Sequence, residues 1–137
     1  MEKLVEAIVS MTDCALDAFS NPSKLLRVPF PSTQASPSRF ALDEDRSFLF
    51  MGREKFRELH MHVSQLRLPP ERLSLVGTMG FGKSHTLAAL AALLMRQHWD
   101  GCSDMRVVYI ADCDEYVKNP FDVLLVAVAL AFAREPP

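Results

Sequence analysis

Gly77-Thr78-Met79-Gly80-Phe81-Gly82-Lys83-Ser84 is the segment whose residue types and spacing prescribe a chemistry, because it matches GxxxxGK[ST] at every specified position. Glycines at 77, 80 and 82 let the backbone turn so that successive N–H groups converge on phosphate oxygens, at the positive end of the following helix. A side chain at any of the three would obstruct that approach. Thr78, Met79 and Phe81 contribute backbone to the same cradle. Lys83 supplies a point charge for β and γ phosphates, and the Ser84 hydroxyl completes the shell of a Mg²⁺ bound to them. His85, next in the chain, reads equally as part of the cradle and as a plain residue of the first helical turn.

A loop of this kind must be held between a strand and a helix. Residues 72–76 (Arg-Leu-Ser-Leu-Val) read as a short buried strand running into Gly77. Residues 84–98 are rich in Ala and Leu, with Leu87, Leu90, Ala91 and Leu94 on the inner side and Gly101 as the stop. Residues 105–111 (Met-Arg-Val-Val-Tyr-Ile-Ala) predict a second buried strand, and an apolar helix follows from Phe121 to Arg134 after Asn119-Pro120. The order β-α-β-α predicts an α/β class with parallel pairing.

Asp112 stands at the end of the second expected strand, where parallel sheets place their ligands, with Asp114 and Glu115 behind it. There it would contact Mg²⁺ or a substrate hydroxyl; the alternative is a solvated turn, in which acids are common. His60 and His62 have the spacing of a ligand pair but no third ligand nearby, so a surface pair is the better reading than a metal site.

Upstream, residues 3–19 place Leu4, Val5, Ile8, Met11, Ala15, Leu16 and Phe19 at helical spacing, which predicts an amphipathic helix over 1–19. Residues 20–45 carry Pro22, Pro29, Pro31 and Pro37 among Ser, Asn and Thr, and read as a Pro/Ser-rich linker. From 46 to 137 the chain reads as one unit, with Phe56, Leu59, Val63 and Leu66 marking a helix of about four turns before Pro69-Pro70.

Composition narrows the partners. With 15 Lys+Arg against 17 Asp+Glu and no dense basic run, nucleic acid is not indicated. Three cysteines without a paired spacing suggest neither a disulfide framework nor a zinc site. The first ten residues carry acids where a secretory signal would be basic, so an intracellular place, cytoplasmic or nuclear, is expected. The apolar run 123–133 spans roughly 16 Å as a helix, against a hydrocarbon thickness of about 30 Å, and predicts no membrane span.

The phosphate loop in this setting resembles that of P-loop NTPases of the AAA-like and STAND-like kind. Phe50-Met51-Gly52-Arg53-Glu54 resembles their upstream "hhGRE" segment, which lies beside the adenine, so the resemblance assigns Gly52 and Arg53 to the adenine side. Gly80-Phe81-Gly82-Lys83-Ser84-His85 together with Val107-Val108-Tyr109-Ile110-Ala111-Asp112-Cys113 is similar to the NTPase domains of Crinkler-type proteins of oomycetes and fungi, where a proline is usual in place of Ala111. The "LFLAK"-like translocation motif of Crinkler effectors is absent from the sequence, so delivery into a host cell rests on the resemblance alone. The fold it implies is a three-layer α/β/α parallel sheet, of which 46–137 would be the N-terminal portion. The later Walker B strand ending in Asp-Glu does not occur within these residues.

Mg-ATP binding with weak or absent hydrolysis is therefore the leading expectation. A small-molecule kinase is the first alternative, since Asp112-Cys113-Asp114 resembles the DxD of shikimate-kinase-like enzymes, although no arginine-rich lid segment follows. A GTPase is disfavoured by the lack of DxxG and NKxD. The third reading is a non-enzymatic fragment that associates with itself or another protein through exposed apolar helices.

Overall fold

The computed structural model describes residues 1–12, 15–66, 73–80 and 82–134. In chain order these form α1 (Glu2–Val9), α2 (Leu16–Ser20), β1 (Leu25–Pro29), β2 (Ser47–Met51), α3 (Phe56–Ser64), α4 (Lys83–Trp99), α5 (Cys113–Lys118) and α6 (Pro120–Ala131). Expectations that fall on Asp13, Cys14, Pro69, Pro70, Arg72 and Phe81 lie outside the described residues.

The core grows from α4. Thr86 and the unbroken run Ala88–Met95 are buried, so the middle of this helix is covered on every side rather than along one stripe, whereas Leu87, expected on the inner side, is 43% exposed. Its alanines let neighbours approach closely, and a cluster of six phenylalanines fills the space beside it: Phe19, Phe30, Phe40, Phe48, Phe50 and Phe56. These rings meet in offset and edge-on pairs, with centroids 5.0 Å apart for Phe19 and Phe56 and 4.8 Å for Phe30 and Phe40. The helix ends as its composition predicts, in a Schellman turn: the Gly101 N–H donates to His98 O and the Cys102 N–H to Gln97 O.

Two of the core phenylalanines come from a hairpin that the proline content conceals. β1 pairs antiparallel with β2, Leu26 opposite Phe50 and Val28 opposite Phe48, and these four side chains all turn inward. Pro29 is tolerated because it stands at the end of its strand. The expected linker over 20–45 is therefore corrected: it supplies a strand and buries Leu26, Val28, Phe30 and Phe40. The expected single helix over 1–19 is likewise two, α1 and α2, with Ile8 and Phe19 as their most buried apolar residues. Arg96 ties α1 to α4 by donating to Ile8 O and Met11 O.

Among the described residues the sheet is this antiparallel pair, and no parallel pair is present. Residues 105–111 do carry a strand's alternation, with Met105, Val107, Tyr109 and Ala111 turned to the core and Arg106 and Val108 outward. They make no ladder, nor do residues 73–76, whose Leu73, Leu75 and Val76 are exposed. Burial pushes the Tyr109 phenol up to about 12. The helix expected over 121–134 is present as α6, opened by Pro120 in the first turn, where a missing N–H costs nothing. Among the described residues no helix is long and apolar enough to cross a membrane.

One close approach fixes the hairpin against α2. A Cβ on Gly52 would stand 2.1 Å from the carbonyl oxygen of Asn21 and 2.9 Å from that of Ala18. On either side the backbone is bonded, Gly52 N–H to Lys24 O at 3.0 Å and Arg53 N–H to Phe19 O at 2.8 Å. Because the obstructing atoms are backbone, Gly52→Ala is expected to lower unfolding free energy by about 2–3 kcal/mol in urea denaturation. A decrease under about 0.5 kcal/mol would mean the approach is not tight.

Candidate functional site

Gly82 is the hinge between loop and helix. Its φ of +74° is left-handed, and α4 begins at the next residue. Gly80 also has a positive φ, +83°, so two of the loop's three glycines adopt the conformation that a side chain disfavours. The first intrahelical acceptor bond of α4 runs from the Thr86 N–H to Gly82 O at 2.9 Å. The N–H groups of Lys83, Ser84 and His85 precede it and point out of the helix's positive end, and no acidic residue stands in that first turn.

Lys83 closes the loop on itself. Its Nζ donates to Gly77 O at 2.7 Å and to Thr78 O at 2.6 Å, so two of three ammonium donors span the mouth of the turn. Gly77, Thr78, Met79 and Gly80 are exposed, whereas Gly82, Lys83, Ser84 and His85 are half-buried. Phe81 lies outside the described residues.

Beside the loop is a cleft of about 600 Å³, within the range of small-molecule sites. Met51, Phe56, Leu59, Leu75 and Val76 give it an apolar wall, and Arg53, Glu54, Glu58, His62 and Lys83 a polar one. The structure thus brings Gly52 and Arg53 to the same cleft as Lys83. At its rim Lys55 pairs with Glu58 at 2.8 Å, which holds the Glu58 carboxyl below its ordinary range.

The other expected residues are placed apart from this chemistry or given structural work. Asp112 caps α5, its carboxylate accepting the Asp114 N–H at 3.0 Å, which is the turn reading of that acid. His60 bonds to Gln97 at 3.0 Å, and His62 faces Glu58. Among the described residues no group of three His, Cys, Asp or Glu side chains is arranged to hold a metal ion.

The His85 ring belongs to the core. It stacks on Phe40 with centroids 4.5 Å apart and meets Phe48 edge-on at 5.6 Å. Its backbone N–H remains part of the helix's first turn, so only the backbone serves a cradle. Arg39, which no sequence pattern singles out, donates to Ala111 O at 2.7 Å and lies over the Phe40 ring. Desolvation first, then the charges of Arg39 and Arg53, push the His85 pKa below its ordinary 6.5.

The unfolded chain therefore binds a proton at His85 more readily than the folded one, so stability is full above pH 6.5 and falls as pH drops below it. His85→Phe is expected to flatten this dependence: the difference in melting temperature between wild type and variant should change steadily from pH 7 to 5. Parallel curves would contradict the assignment. No family model, curated protein or solved structure matches the chain.

Proposed function

We propose that this chain binds Mg-ATP through residues 77–85, with the nucleotide extending into the cleft beside them. The carrying observation is the loop's construction. Two glycines with positive φ turn it, the first-turn N–H groups of α4 face outward, and Lys83 lies across its mouth on two carbonyls. A phosphate chain offers oxygens to those same groups: the Lys83 ammonium exchanges neutral carbonyls for charged oxygens, a stronger class of hydrogen bond. Ser84, in the first turn behind Lys83, is the residue that would complete the shell of Mg²⁺.

The apolar wall of the cleft suits a flat heterocycle, and its volume accommodates one with a sugar. Asp112, the acid that the sequence offers for Mg²⁺ or a substrate hydroxyl, is engaged at the start of α5. That engagement favours a nucleotide-holding module with slow turnover, similar to the front part of an AAA-like or STAND-like ATPase.

Titration calorimetry tests it. The wild-type chain is expected to bind Mg-ATP, and Lys83→Ala to weaken binding by at least about tenfold, the scale of removing one charge-assisted hydrogen bond. Phosphate release from bound ATP should stay close to the uncatalysed background. Absence of binding, or equal affinity of Lys83→Ala, would refute the proposal.

A further inference from the structure

We infer that Arg53 binds the phosphate end of the ligand, as a second cation alongside Lys83, and thereby sets a preference for polyphosphates; this rests on the nucleotide-binding reading above. By the resemblance of its segment this residue belongs to the adenine side. Its side chain points elsewhere. The terminal Nη2 lies 2.8 Å from where a Cβ on Gly82 would stand, and Cζ lies 3.7 Å from it. Gly82 directly precedes Lys83, so the guanidinium lies beside the loop at the residue that turns it into α4.

The position is fixed from below. The Arg53 N–H is bonded to Phe19 O, and neighbouring Gly52 is pressed against Asn21 with no room for a side chain. Arg53 and Lys83 line one cleft. The Arg53 charge is also felt at His85, in the first turn of α4, where it disfavours the protonated ring. A guanidinium, an ammonium and a helix N-terminus at one loop concentrate positive potential where a polyphosphate would sit. The planar fork of an arginine holds two oxygens of one phosphate in a fixed, parallel geometry, which the freely rotating donors of an ammonium do not impose.

A Cβ at position 82 would meet the end of the Arg53 side chain, which can shift, so it is the φ of +74° that requires glycine there. Inorganic tripolyphosphate separates the two ends of the ligand because it has no base. Binding of Mg-ATP and of tripolyphosphate to the whole chain should each weaken by about tenfold in Arg53→Gln, the scale of removing one charge-assisted hydrogen bond. If Arg53→Gln weakens ATP but leaves tripolyphosphate unchanged, the residue serves the base and the inference is overturned. Unchanged affinity for both ligands overturns it too, while leaving the nucleotide reading intact. A wild-type chain that binds neither ligand overturns both. An NMR measurement needs no variant to fold: the Arg53 Nε–Hε signal of the unmutated chain is expected to shift with tripolyphosphate, and a signal that stays in place through saturation overturns the inference.

Discussion

The close approach of Gly52 to the carbonyls of Asn21 and Ala18 is the constraint on which the site's geometry depends. It brings the end of β2 against the end of α2 at a distance that no side chain would permit. The two backbone bonds that flank it set the direction in which Arg53 leaves the hairpin. From that origin the side chain reaches Gly82, on an element that comes much later in the chain. A single glycine thus links the hairpin, the second helix and the glycine-rich loop.

The other half of the arrangement is the burial of α4. Its first turn is exposed enough to meet a ligand, while the turns behind it are enclosed by the phenylalanine cluster. Rigid packing behind an open N-terminus is what a pre-formed anion site requires, since the N–H groups need no reordering when the ligand arrives. His85 marks the boundary: its backbone lies in the first turn, and its ring is packed against Phe40 and Phe48. The C-terminal helix is less covered. On α6, Phe121 is 88% and Leu125 69% exposed, although Val123, Ala127 and Leu130 face inward. An apolar surface of that kind is ordinarily covered by another chain or segment.

What the sequence made legible were the features written in local chemistry. The helix expected over 84–98 and its glycine stop follow from residue types at fixed spacing and are found as α4 and its Schellman turn, and of the glycines expected to turn the loop, Gly80 and Gly82 have positive φ. The hairpin was not legible, because β1 is five residues long and sits among prolines whose density reads as a linker. Its inward positions, Leu26 and Val28, gain their meaning only from Phe50 and Phe48 across the register. Conversely, residues 73–76 have a strand's composition but form no strand pair among the described residues, and composition alone does not supply one. Within the site, Lys83 and the glycines were readable, whereas Arg53 was readable as a motif residue and not in its direction. Arg39 and the ring contacts of His85 depend on side chains distant in sequence.

That the loop and the Gly52-Arg53 turn form one phosphate-holding site is tested most directly by amide NMR of the isotopically labelled chain during titration with Mg-ATP. The largest shifts are expected on the N–H groups of residues 77–85 and, at the same ligand concentrations, on Gly52 and Arg53. Shifts confined to other parts of the surface would contradict this, as would a spectrum unchanged at saturating nucleotide.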